Sequence, residues 1–247
     1  MKNNEDYAFS SIDVVSQCLV DEKRTLAFYK AIKKSVKKNS RVIDLGSGSG
    51  ILAMFAAKSG AKKVLAVEYD PYIASIAKFN FKLNNFRNRI TLLLADARKL
   101  IIKPKTKFDV VISEMLTTGI VDEHQVQSIN NLHKKGLVDK STIFIPSRQE
   151  TYLVLVQAKD RLFNQRISMV LHMWRWHNWS KLIIKRFNNP VLLNSIDFSV
   201  KNHETFSNVI EVVVNQSGIV NGIYMTSISV LEKNNKICDT EALNAPM

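Results

Sequence analysis

An α/β fold, a Rossmann-like parallel sheet followed by a smaller β-rich and mostly antiparallel unit, is the architecture this chain predicts. Three observations carry the expectation. Between residues 42 and 145 short apolar runs alternate with stretches of helical periodicity, and a glycine-rich turn closes the first run. After Pro146 the pattern changes to runs of branched residues separated by Asn, Ser and Gly. Alternation of strand and helix implies crossover connections, a parallel sheet, and ligands bound at the carboxyl ends of the strands.

Taken in order, residues 1–40 read as a helical segment, with Asp21-Glu-Lys-Arg-Thr-Leu-Ala-Phe-Tyr-Lys30 leading into a basic stretch. Lys30, Lys33, Lys34, Lys37, Lys38 and Arg41 follow without an intervening acid; their spacing with Ala31, Ile32 and Val36 fits the wet face of an amphipathic helix. Residues 41–145 form the parallel-sheet domain. Strands are expected over residues 42–45, 64–67, 91–94 and 108–113, with helices over 51–59 and 72–83. Residues 146–247 form the β-rich domain, with strands expected over 150–156, 209–214 and 223–230.

The turn after the first strand is chemically specific. In Arg41-Val-Ile-Asp-Leu-Gly-Ser-Gly-Ser-Gly50 the glycines Gly46, Gly48 and Gly50 let the backbone turn tightly and approach a ligand that side chains would keep away. The helix that follows points its positively polarised end at that ligand. Glu68, at the end of the second strand, is placed to accept ribose hydroxyls. Ile51 stands where a dinucleotide pattern has glycine or alanine, so this loop departs from G-x-G-x-x-G.

The +13 net charge points to an anionic partner or to life among nucleic acid. At 247 residues and 46% hydrophobic, the chain can bury one large core or two modest ones. No run approaches the roughly eighteen apolar residues of a membrane span, and the start is too polar for a signal peptide. A cytoplasmic protein with no membrane partner is expected. Cys18 and Cys238 are the only cysteines and the five histidines lack ligand spacing, so no structural metal is expected.

The fourth strand leads to the catalytic candidates. Ser113-Glu-Met-Leu-Thr-Thr-Gly-Ile-Val-Asp-Glu123 sets Glu114 and Glu123 nine positions apart around one loop. Two facing carboxylates can hold a planar guanidinium by paired charge-assisted hydrogen bonds. Asp96, with Ala97 beside it, follows the third strand at the same end of the sheet. Trp174, Trp176 and Trp179, beside Arg175 and His177, read as dimer or interdomain packing.

The strand-Asp44-x-Gly46-x-Gly48-x-Gly50 arrangement resembles motif I of the class I S-adenosylmethionine-dependent methyltransferases. The double-glutamate loop, the helix around Arg24, the stretch from Gly50 to Val64 and Ile143-Phe-Ile-Pro-Ser-Arg148 resemble the catalytic core of the protein arginine methyltransferases. That resemblance implies S-adenosylmethionine as cofactor. Its methionine end would lie against Arg24, Asp44, Gly46, Ser47, Gly48 and Gly50, its ribose against Glu68, and its adenine against Asp96 and Ala97. It also implies an arginine in a protein substrate as acceptor, held by Glu114 and Glu123.

Two features depart from that family. Met115-Leu-Thr-Thr118 stands where it has Trp-Met-Gly-Tyr, so the acceptor pocket is walled differently, and the sequence ends at Asn244-Ala-Pro-Met247, about where a Thr-His-Trp signature would begin. The Ser-Glu-Met-Leu form is also similar to short archaeal and bacterial proteins described as predicted RNA methylases. Methylation of RNA is thus a second expectation, against which the lack of an Asn-Pro-Pro-Tyr-type tetrapeptide after the fourth strand counts. A cofactor-binding scaffold is a third, and a homodimer is the expected assembly.

Overall fold

The computed structural model describes residues 11–102, 107–120, 123–168, 182–232 and 235–238. Helix α1 (Ile12–Val20) begins where the Ser11 hydroxyl accepts the Val14 N–H. Helix α2 (Glu22–Ser35) begins where the buried Asp21 carboxylate accepts the Arg24 N–H at 3.1 Å. Each cap satisfies one of the first-turn donors that a helix leaves unpaired. Phe28, Ala31 and Ile32 form the buried stripe of α2, and Lys33 and Lys34 stand in its exposed last turn. The helix ends at Ser35, so Lys37 and Lys38 lie in the turn that follows and not on the helix face expected from their spacing.

The parallel sheet is built from β1 (Arg41–Leu45), β2 (Lys63–Glu68), β3 (Ile90–Leu94), β4 (Val110–Ser113) and β5 (Ile143–Ile145). Helices α3 (Ile51–Lys58), α4 (Pro71–Leu83) and α5 (Gln125–Lys134) connect them. Strand order is β3-β2-β1-β4-β5, every pairing parallel. Val42, Ile43, Leu45, Val110, Val111 and Ile112 are buried from both faces, which is why these strands read as mainly apolar runs, broken in β1 only by Asp44. The chain moves outward through β2 and β3 and then returns past β1 to β4. That reversal opens a crevice between the carboxyl ends of β1 and β4, where Leu45 pairs with Ser113. Helix α5 was not expected from the periodicity; its buried face mixes Val126, Ile129 and Leu132 with Gln125, Ser128 and Asn131.

The second sheet contains β6 (Arg148–Ala158), β9 (Ile183–Arg186), β10 (Val191–Asp197), β11 (Gly222–Glu232) and β12 (Asn235–Cys238). A short hairpin, β7 (Arg161–Leu162) and β8 (Gln165–Arg166), stands apart. The order is β10-β6-β11-β12, with β9 on the far end of β6 and all pairings antiparallel.

Residues 209–214 do not form the expected strand. The Asn215 N–H donates to the Phe187 carbonyl at 2.8 Å and the Asn208 amide to that of Leu193 at 3.4 Å, so the segment skirts the outer edge of β9 and β10. Its branched residues have strand propensity, but β9 ends at Arg186 and β10 shifts register between Leu192 and Asn194, leaving no continuous ladder to join. Val209 is 98% exposed as a result. Trp174, Trp176 and Trp179, with Arg175 and His177, lie outside the described residues. No helix among the described residues is long and apolar enough to cross a membrane.

Candidate active site

The turns leaving β1, β2 and β4 converge on one cavity. Arg24, Gly46, Ser47, Gly48, Glu68, Asp96, Ala97, Glu114 and Glu123 all line it. Asp44 and Gly50, also expected at the cofactor, are not in its wall. Gly50 instead starts α3 at φ 83°, and a Cβ there would overlap the Phe81 ring. Its glycine is required by a left-handed backbone and by close packing of α3 on α4.

Asp44 lies under the loop, 1% exposed, with neither carboxyl oxygen hydrogen-bonded among the described residues. Burial pushes its pKa up to about 7. The Ser47 hydroxyl donates to the Asp44 backbone carbonyl at 3.1 Å and fastens the first corner of the loop.

Glu68 ties the glycine loop to the next strand. One carboxylate oxygen accepts the Gly48 N–H at 2.8 Å; the other accepts those of Tyr69 at 2.8 Å and Asp70 at 3.0 Å. Burial raises its pKa above the ordinary carboxylate value, and these backbone donors work against the rise. Three of a carboxylate's roughly four lone-pair sites are thereby engaged.

Asp96 is committed to a neighbour. Its carboxylate takes the Arg98 guanidinium through two bonds of 2.9 Å, and also accepts the Arg98 N–H at 2.9 Å. Burial opposes ionisation, but the Arg98 bonds outweigh it and hold the group below the usual carboxylate range. The expected adenine acceptor is therefore already occupied. Ser128, buried on α5 and lining the cavity, has no partner for its hydroxyl among the described residues.

Arg24 and Glu114 face each other across the crevice. The Arg24 Nη2 pairs with Glu114 Oε1, the side chains being 3% and 17% exposed, while Arg24 Nε and Nη1 have no partner among the described residues. A guanidinium so buried has donors free to bind a further acceptor. Glu123 reaches the same cavity from the far end of the loop, just before His124 starts α5 in a left-handed conformation at φ 55°. From α1, Val14, Val15 and Cys18 complete the wall.

Residues 24–186 match the family described as ribosomal protein L11 methyltransferase (PrmA). The chain belongs to that family. This PrmA-family chain is an S-adenosylmethionine-dependent methyltransferase whose fold is that of the arginine methyltransferase core. It is 33% identical over 229 residues to an uncharacterized protein of Methanocaldococcus jannaschii, covering 93% of this chain and 82% of that one. Protein arginine N-methyltransferase 1 of Saccharomyces cerevisiae is 34% identical over 172 residues, covering 66% of this chain and 49% of the relative. The chain thus spans about half the length of that enzyme. Among solved structures, Arabidopsis thaliana protein arginine methyltransferase 10 superposes with a TM-score of 0.72 at 19% identity, over 97% of this chain and 79% of that one. The Trypanosoma brucei PRMT1 enzyme-prozyme heterotetrameric complex with AdoHcy gives 0.69 at 20%, over 93% and 77%.

In this PrmA-family chain the loop carrying Glu114 is braced by residues that the sequence does not advertise. Gln125, fully buried, donates through its amide to the Ser113 carbonyl at 2.7 Å. From the second sheet, the Gln149 amide donates to the Thr117 carbonyl at 2.9 Å, and the Ser227 hydroxyl accepts the Gly119 N–H at 3.1 Å while contacting the Thr151 hydroxyl at 3.0 Å. Gln149, Thr151 and Ser227 are buried polar positions on otherwise apolar strands, and each is satisfied by this network. Their one visible signal is a polar residue at an inward-facing strand position. Met115 covers the glycine loop closely: a Cβ on Gly46 would lie 2.9 Å from its Cγ.

Proposed function

We propose that this chain methylates an arginine guanidinium in a protein substrate, with Glu114 and Glu123 as the acceptor clamp. The observation that carries the reading is that both carboxylates, from opposite ends of one loop, line the cavity that also holds the glycine loop, Glu68 and Arg24. The same surfaces fit S-adenosylmethionine. Arg24 offers two unfilled, buried donors suited to a carboxylate, Gly46 and Gly48 leave backbone exposed, and Glu68 keeps lone-pair capacity for ribose. With Asp96 paired to Arg98, the adenine contact falls to Ser128 and the backbone around Ala97.

The bound sulfonium supplies an already activated methyl group. Glu114 and Glu123 orient the guanidinium and hold its positive charge, so that one nitrogen faces the methyl in line. α1 and the loop exclude water. Such positioning contributes several kcal/mol, up to roughly 7–11. In this reading α1 and α2 cover the site, the parallel-sheet domain binds the cofactor, and β6 and β11 brace the acceptor loop.

The family's description as a ribosomal protein methyltransferase supports a protein acceptor over an RNA one, and an arginine-bearing ribosomal protein satisfies both comparisons. Transfer of tritiated methyl tests this with an arginine peptide, an arginine-free peptide and RNA. Label should enter the arginine peptide alone and vanish in both Glu114→Gln and Glu123→Gln. The double variant should be no worse than either single one, because either loss breaks one shared clamp. Label in RNA, or on the arginine-free peptide in both single variants, would remove the arginine reading.

A further inference from the structure

At the end of the parallel sheet opposite the cavity, the turns entering β1, β2 and β3 carry charge of one sign. Residues 36–40, 59–62 and 84–89 form the turns entering β1, β2 and β3, and hydrogen bonds draw them into one rim. The Asn39 N–H donates to the Gly60 carbonyl at 3.1 Å, that of Lys62 to Ser40 at 2.8 Å, and that of Val64 to Arg89 at 2.9 Å. The Lys63 ammonium reaches the Asn88 carbonyl at 2.8 Å. Lys37, Lys38, Lys58, Lys62, Lys63 and Arg87 are exposed along this rim. No Asp or Glu occurs in residues 33–43, 51–67 or 71–95. The first acid met along the edge, Asp109, accepts the Arg41 N–H at 2.7 Å. A merely solvated surface mixes signs, because crowding like charges opposes the compact state. Here three separate turns bring their cations together without relief.

We propose that this rim is a docking surface for the backbone of single-stranded RNA, and that it tethers an RNA-borne substrate without itself presenting the RNA for methylation. Geometry separates the two sites: the five residues of β1 hold the rim roughly 16 Å from the glycine loop. A phosphodiester strand on the rim is therefore away from the transferred methyl.

Charge explains the need for a tether. Resting on the arginine reading above, the substrate segment is itself cationic and is repelled by a protein of net charge +13. Arginine-rich segments bind RNA, so a polyanion held by both partners turns that repulsion into attraction and raises the local substrate concentration. A single strand can follow three adjoining turns, whereas duplex DNA resists bending at this scale.

The test is fluorescence anisotropy with a labelled oligoribonucleotide of roughly twenty nucleotides, from about 50 to 200 mM salt. Wild type should bind with an affinity that falls steeply with salt. Lys37→Glu/Lys62→Glu/Arg87→Glu should lose at least about ten-fold in affinity and lower the salt slope by about 2, at roughly 0.7 per phosphate contact. Unchanged calorimetric affinity for S-adenosylhomocysteine in the variant shows that it is folded. Methylation of a free arginine peptide should be equal in the two proteins, while methylation of an RNA-bound arginine-rich protein should fall only in the variant. RNA binding that survives the substitutions, or a wild type that prefers duplex DNA of equal length, overturns the proposal. Anisotropy needs no turnover, so RNA binding lost in the variant supports the surface even where neither protein labels the peptide, a result that removes the arginine reading alone.

Discussion

Replacing Glu114 by glutamine should destabilise the cofactor-free protein and tighten its hold on the cofactor. The Arg24 guanidinium is 3% exposed, and Glu114 is its one ion-pair partner among the described residues. Breaking a buried pair from one side costs about 3–5 kcal/mol, because the remaining charge stays buried and uncompensated. Two features reduce that figure here. Glu114 is 17% exposed, and glutamine keeps a carbonyl oxygen that can accept from Arg24. A loss of about 2 kcal/mol is expected, a drop in melting temperature of about 4–8 °C for a chain of this size.

A bound cofactor carboxylate would satisfy the same guanidinium, so saturation with S-adenosylhomocysteine should close most of the gap between variant and wild type. By the thermodynamic cycle, closing about 1.4 kcal/mol means roughly ten-fold tighter cofactor binding in the variant. Calorimetric melting of both proteins with and without ligand, together with titration calorimetry, reads all four corners. A variant as stable as wild type without cofactor, or a gap that saturation leaves unchanged, would refute the idea that Arg24 is shared between Glu114 and the cofactor.

Two other substitutions probe the residues that support the glycine loop. Glu68→Ala removes an acceptor that binds the Gly48, Tyr69 and Asp70 N–H groups, and should weaken cofactor binding by about 1.5–3 kcal/mol, roughly ten- to a hundred-fold by calorimetry. Equal affinity in the two proteins would rule out the ribose role. Asp44 has its folded pKa raised to about 7, so native protein binds its proton more tightly than the unfolded chain does. Its contribution is fully present below pH about 4 and is lost as pH rises through about 7, a change of roughly 4 kcal/mol at most. Asp44→Asn should flatten the stability profile from denaturant unfolding across that window and leave the variant the more stable protein at pH 8. A wild-type profile without that slope would contradict a buried, unpartnered carboxyl.

The parts of this molecule that were legible in its sequence are those where one position makes a demand that few residues meet. Buried parallel strands need apolar runs, and residues 64–67 supply an unbroken one and residues 42–45 one interrupted only by Asp44. A loop meeting a nucleoside needs glycine, and an acid at the next strand end, Glu68, follows at the right interval. Other features depend on meetings between distant parts of the chain. Nothing in the order of residues announces that Arg24 pairs with Glu114, or that Asp96 turns to Arg98 before any ligand does. Gln125, Gln149 and Ser227 look like surface residues until folding buries them. At residues 209–214 the branched composition was a sound indicator of propensity, but a strand also needs a neighbouring ladder in register, which is a property of β9 and β10. The basic stretch departs from its helical spacing at its end, because Ser35 stops α2 and moves Lys37 and Lys38 into a turn.

The polar bracing of the loop between Ser113 and Gln125 has a consequence for how such an enzyme can diverge. The loop is a span with one abutment on the parallel sheet and α5, and the other on β6 and β11. Thr117 and Gly119 are held through a backbone carbonyl and a backbone N–H, groups that every residue other than proline possesses. The path is thus kept by backbone groups, which leaves the half-buried Met115 and Thr118 freer to vary than the buried Leu116 and Thr117. Met115, which lines the cavity, can be exchanged with little disturbance to the carboxylates at the two ends. Gln149 and Ser227 are the opposite case: neither lines the cavity, yet a change at either moves the loop that carries Glu114.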